Sequence, residues 1–214
     1  MARRGDTLRE HILEVAKDAF LESGFERTSM DALAARAQTS KRSLYAHFPT
    51  KDALFLAVID RVHDLFRGRM RTPDHYADDP AEATALFCGR FLQMLGWAPV
   101  LLTCRMGISE AERLPEAAAQ LHEVFFGTTT DRLAAYLSGQ YGLDTAEGAT
   151  LAARLLGMTV YPTLPRALFG LGELRDDLPD EASIETDVDM TAIRRAAESA
   201  LRGRVAASGG KASL

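Results

Sequence analysis

Between Leu8 and Phe20 the apolar residues fall at Leu8, Ile12, Val15, Ala16, Ala19 and Phe20, with charged residues between them. That is the 3.6-residue stripe of an amphipathic helix, and a chain that keeps repeating it has few architectures open to it. The pattern returns in nearly every later segment. Sustained period-2 alternation is nearly absent, and no Asn-Gly or Asp-Gly pair marks a hairpin. The expected fold is therefore all-α. With 47% hydrophobic residues in a chain of 214, there is enough apolar surface for a real core, in one large domain or in a small and a medium one.

Local punctuation divides the stripe into elements. Gly24 after Ser23 is a natural C-terminal stop. Thr28, with Asp31 three residues on, approximates a capping box for a second helix that buries Met30, Leu33, Ala34 and Ala37. A break at Gln38-Thr39-Ser40 leads to a short third helix, Lys41 to His47. Pro49 ends it, and Thr50 can cap a fourth helix from Lys51 to about Met70. Residues 73–80 read as a linker. Further helices are expected near 81–96, 98–112, 116–139, 145–168 and 187–204, with Pro162 and Pro165 kinking or ending the fourth of these. Residues 171–186 read as an acidic loop, and 207–214 as a disordered tail. The domains drawn from this are 1–50, 51–206 and the tail.

Charge is distributed unevenly. Residues 1–72 hold 13 Lys and Arg against 10 Asp and Glu, while the rest hold 12 against 20. A basic-surfaced module is thus joined to an acidic one, within a net charge of -5. The N-terminus is basic but leads into charge rather than an apolar run, so no signal peptide is expected. No uncharged run is long enough for a bilayer, and two cysteines (Cys88 and Cys104) make no disulfide framework. The expected location is the cytoplasm, with no membrane partner. His63, His75, His122 and the cysteines lack metal-ligand spacing, and no GxSxG, HExxH, Walker or dinucleotide-binding glycine pattern occurs. No metal, cofactor or catalytic residue is expected, and the chain does not read as an enzyme.

A helix, a short turn and a second helix opening on Lys41-Arg42-Ser43 is the arrangement of a helix-turn-helix. Such a helix enters the major groove N-terminus first, so base-reading side chains cluster in its first turn. There Arg42 or Lys41 can pair with guanine and Ser43 with either kind of base edge. Leu44 must point inward, while Tyr45 and His47 flank the groove and can reach phosphates. Lys51 lies in the first turn of the fourth helix, where the positive dipole end favours an anion. Arg3 and Arg4 can form a minor-groove arm or simply a solubilising end.

The stretch GFERTSMDALAARAQTSKRSLYAHFPTKDALF resembles the DNA-binding signature of the tetracycline-repressor (TetR) family of transcriptional regulators. The resemblance runs from about Leu8 to Phe55. It rests on Gly24-Phe25, Thr28-Ser29-Met30, Ala34, Ala37, Ser40-Lys41, Leu44-Tyr45, His47-Phe48, Lys51 and Leu54-Phe55 in register. By position it implies base reading by Ser29, Lys41, Arg42 and Ser43. It implies phosphate contacts by Thr28, Thr39, Ser40, Tyr45, His47 and Lys51. The turn departs from the family: many members have Gly-Val where this chain has Gln38-Thr39. Arg105 to Glu123 is similar, more loosely, to a stretch in the AefR-like branch.

The resemblance also implies a larger helical half that binds a small-molecule effector and a second copy of the chain. Residues 145–169 and 187–204 take the place of the family's dimer helices. Phe66, Phe87, Phe91, Trp97, Met106, Phe125, Met158 and Tyr161 can line a ligand cavity or form ordinary core. Arg105, alone in the apolar run LLTCRMGIS, needs Glu110, Glu112 or an anionic ligand beside it. The expected protein is a homodimeric repressor on double-stranded operator DNA, released by a ligand. Two alternatives stand beside it: a dimer that needs no effector, and a helical small-molecule-binding protein that does not bind DNA.

Overall fold

The computed structural model of the chain describes residues 2–204, with side chains from Asp6 onward. The side chains of Arg3 and Arg4 and the segment 207–214 lie outside the described residues. Those described are helical almost throughout, without a strand; a single bridge joins Trp97 to Arg175. They form two compact units. The first runs to Leu65 and includes Leu102–Leu121; the second holds Phe66–Leu101 and everything from His122. The expected boundary at residue 50 is thus not where compactness divides the chain.

In the first unit, α1 (Ala2–Ser23) is followed by α2 (Met30–Arg36), α3 (Lys41–His47) and α4 (Lys51–Arg67), whose last two residues belong to the second unit. The stripe of α1 buries Ile12, Leu13, Ala16, Ala19 and Phe20. Gly24 stops that helix at φ +79°, a conformation in which a Cβ is strained, and donates its N–H to the Phe20 carbonyl at 2.8 Å. The core is aromatic: the Phe55 ring of α4 lies 5.6 Å from Phe20 and 4.9 Å from Phe25. Leu33 and Leu44 are buried with them. Truncating a side chain buried as Leu44 is costs about 2–5 kcal/mol. Here lies the reason the unit extends past residue 50: without Phe55 the three-helix head loses the ring against which Phe20 and Phe25 pack.

Leu102–Leu121 brings most of α6 (Ala98–Ser109) and α7 (Pro115–His122) into the first unit. Arg113, between them, donates to Glu110 and to Asp52 at 2.8 Å each and lies over the Phe25 ring at 4.2 Å. Gln120 reaches Asp60 at 3.2 Å. Glu110, expected as a partner of Arg105, is therefore engaged by Arg113.

The second unit is built on α5 (Pro80–Leu95), α8 (Thr128–Tyr141), α9 (Thr145–Val160) and α12 (Met190–Leu201). Asp79 caps α5 with Pro80 behind it, and Asp144 with Glu147 forms a full capping box on α9. Gly148 lets α8 and α9 meet closely, since a Cβ there would strike the Ser138 hydroxyl. The expected helix at 116–139 is interrupted by a π turn, Glu123–Gly127. The hydroxyls of Thr129 and Thr130 take up the Phe125 and Phe126 carbonyls at 2.8 and 2.7 Å. The helix expected to reach 168 stops at Val160, and Pro165 sits in the first turn of a separate short α10 (Leu164–Leu168). Part of the acidic loop is ordered as a 3-10 turn, Glu181–Ser183, and α11 (Ile184–Asp187).

Candidate nucleic-acid interface

The local sequence fixes α3. Ser40 is its N-cap, accepting from the Ser43 N–H at 3.1 Å, and its hydroxyl also donates to the Ser43 hydroxyl at 3.0 Å. Both serines are therefore partly engaged within the helix start. Leu44 anchors the inner face at 0% exposure. The outer face presents Lys41, Arg42 and Tyr45, and Arg42 and Tyr45 lie three residues apart on one side. Among the described residues Arg42, Tyr45 and His47 have no hydrogen-bond or ion-pair partner. Lys41 differs: its ammonium is 2.6 Å from the Asp31 carboxylate of α2.

The turn before α3 keeps its shape despite the departure at Gln38. Gln38 has φ +50°, alone among the described non-glycine residues in that region. Its N–H donates to the Ala35 carbonyl at 3.1 Å and that of Thr39 to Ala34 at 3.0 Å. The left-handed conformation costs a side chain about 1 kcal/mol relative to glycine. The surrounding bonds hold it in place.

Three expectations about the head change. Thr28 does not cap α2: it is 6% exposed and its hydroxyl donates to the Gly24 carbonyl at 2.8 Å. Ser29 caps instead, accepting from the Ala32 N–H at 3.1 Å, so the expected box with Asp31 does not form. Thr28 thus ties down the chain after α1 rather than facing outward. Lys51 also turns inward. Its ammonium donates to the carbonyls of Phe25 at 2.9 Å and Thr28 at 3.1 Å and sits 4.0 Å from the centre of the Phe25 ring. A cation so engaged braces the α1–α2 connection. Thr50 caps α4 as expected, accepting from Ala53 at 3.0 Å. Thr39 is half-buried and Ser29 is exposed.

The residues expected around a ligand are distributed over both units. In the second unit Phe66, Phe91 and Phe125 interlock, with ring centres 6.2 and 5.0 Å from Phe66, and Phe87 is fully buried. Trp97 donates to the Asp176 carbonyl at 3.2 Å, and Tyr161 is 73% exposed. Met106 is buried and Arg105 half-buried, both in the first unit. A cavity of about 530 Å³ does exist in the second unit, between α5, α9, α12 and the 173–175 segment. Of the expected residues only Met158 lines it. Gln93, Thr159, Arg175 and Asp187 supply polar groups that periodicity did not single out. Cys88 and Cys104 are buried free thiols, both pushed up to about 12 by burial, so neither is reactive. Among the described residues no three His, Cys, Asp or Glu side chains come together to hold a metal, and no helix is long and apolar enough to cross a membrane.

An all-α chain whose N-terminal unit presents a short capped helix across a tight turn is a helix-turn-helix protein. The comparisons with known proteins agree. The family described as "Bacterial regulatory proteins, tetR family" matches residues 12–58. The activator FasR of Mycolicibacterium smegmatis is 30% identical over 168 residues, covering 74% of each chain. The regulator RutR of Escherichia coli K12 is 29% identical over 111 residues, which span 44% of this chain and about half (51%) of RutR. Among solved structures, a TetR-family regulator from Mesorhizobium loti superposes with a TM-score of 0.72 at 23% identity, covering 92% of this chain and 96% of that one. The flavonoid-responsive regulator FrrA does so with a TM-score of 0.68 at 27% identity, covering 92% and 94%. The chain belongs to the TetR family of transcriptional regulators.

Proposed function

We propose that the protein is a homodimeric repressor that reads operator DNA with α3 and leaves it when a small molecule binds the second unit. The observation behind the DNA reading is the outer face of α3, where Arg42 and Tyr45 stand exposed and unpartnered on a helix fixed by its cap and by Leu44. A guanidinium in that position suits guanine O6 and N7. Support for a second copy comes from Met158, Tyr161, Phe169 and Leu171, large apolar residues left exposed on and after α9. The 530 Å³ cavity supports an effector. FrrA is by name responsive to a flavonoid; a small amphipathic effector fits the mixed lining here. Release then follows from any difference in ligand affinity between DNA-compatible and DNA-incompatible states.

The test is a mobility shift on the DNA upstream of the protein's own gene across a salt series. A specific complex at low salt that weakens as salt rises is expected; no complex at low salt would overturn the reading. A thermal-shift screen with apolar and amphipathic compounds separates the effector-responsive dimer from one that needs no effector.

A further inference from the structure

Resting on the DNA-binding reading above, we infer that Asp31 is a specificity-determining residue: its carboxylate restrains Lys41, so that Lys41 contributes little to binding DNA of arbitrary sequence. Asp31 lies in the first turn of α2 and Lys41 opens α3, ten residues on and across the turn. Their charged atoms are 2.6 Å apart, with both side chains 63% exposed. Asp31 is not occupied by the helix it belongs to. Ser29 supplies the cap, and the Asp31 carboxylate has Lys41 as its hydrogen-bond partner.

The placement matters because α2 and α3 are the two helices of the reading motif, the first across the backbone and the second in the groove. A free lysine there would bind any phosphate, adding to affinity on every sequence alike. Held by Asp31, it must first be detached. An exposed pair is weak, so the restraint is small and a base edge that engages Lys41 well can overcome it. Arg42, beside it, has no such restraint and remains available from the start. The pair therefore penalises random duplex more than a site that offers Lys41 a good acceptor.

The experiment is a fluorescence-anisotropy titration of the full chain on a short labelled duplex of scrambled sequence, over a salt series. Wild type, Asp31→Asn, Lys41→Gln and the double variant are compared. Asp31→Asn is expected to tighten binding about two- to fivefold at low salt and to steepen the log–log salt dependence by about 0.9, one extra phosphate contact. In the Lys41→Gln background the same change is expected to do nothing. Asp31→Ser repeats the measurement should the asparagine alter α2, with melting temperature as the check on folding. An equal gain in both backgrounds would show that Asp31 acts only by repelling DNA, and overturns the inference, as does no gain in either. Absence of any wild-type complex at low salt would instead remove the DNA-binding reading beneath it.

Discussion

Arg42 and Arg90 are the same side chain put to opposite uses in the two units. Arg42 stands on the outer face of α3 with no partner. Arg90, in the middle of α5, is 1% exposed and engaged through Nε and Nη1: it donates to the Arg69 carbonyl at 3.3 Å, the Pro179 carbonyl at 3.1 Å and the Gln93 side chain at 2.5 Å. Gln93 in turn donates to the Asp180 carbonyl, Ser183 and Asp187 at 2.8, 3.0 and 2.6 Å. That hub fastens the 179–187 segment to α5. On the outer face of α3 a cation stands in solvent without a partner; at the hub the charge is spent within the fold, because a buried charge without partners is costly.

The comparison is most sharply tested at Arg90. Arg90→Ala removes a buried body and strands several acceptors, and should cost about 3–4 kcal/mol, lowering the melting temperature by roughly 10 °C. Substitution at Arg42 should leave melting unchanged. Arg42→Ala instead is expected to lower binding to a selected site by about 10- to 100-fold and to relax its sequence preference, measured by competition between selected and scrambled duplexes. If Arg90→Ala melts like wild type, the hub is ornament, and the contrast fails.

Lys51 is the case between. Lys51→Ala should destabilise the first unit by about 1–2 kcal/mol through lost charge-assisted bonds to the Phe25 and Thr28 carbonyls. The salt dependence of DNA binding should keep its slope. A slope lowered by about 0.9 with unchanged stability would restore the phosphate contact that the family pattern suggests.

The hub also has an acid limit. Hydrogen bonding from Arg175, then from Ser183 and Gln93, holds the Asp187 carboxyl far below the usual carboxylate range, against the opposing pull of burial. A lowered carboxylate stabilises the native state above its unfolded pKa of about 3.9 and loses that contribution as pH falls toward the native value. Asp187→Asn should therefore be less stable than wild type at neutral pH, with the gap closing below about pH 4 in a melting series. The smallest effect expected is at the turn. Gln38→Gly relieves the left-handed strain and should raise stability by about 0.5–1 kcal/mol without changing DNA binding.

Features set by a few neighbouring residues were legible in advance. The bounds of α3, the stop at Gly24 and the Thr50 cap depend on contacts within about one helical turn, and the inward side at Leu44 follows from the helical period. Where two adjacent residues can do the same job, the reading failed by one position. Thr28 and Ser29 can both cap a helix; Ser29 does so here, while the Thr28 hydroxyl is taken up by the Gly24 carbonyl. Ligand lining is not legible in this way, since a buried phenylalanine in a closed core and one facing a cavity have the same periodicity.

The sequence by itself determined an all-α chain, the helix-turn-helix at its N-terminus and the surface on which Arg42 and Tyr45 stand, because helical period, caps and turns are written in short range. Only the tertiary structure decided which cations remain free. Lys51 finds its partners 26 and 23 residues away, Arg90 reaches a carbonyl 89 residues away, and Lys41 meets Asp31 across the turn. A charge is available or spent according to what the fold brings within hydrogen-bond distance, and no local pattern encodes that distance.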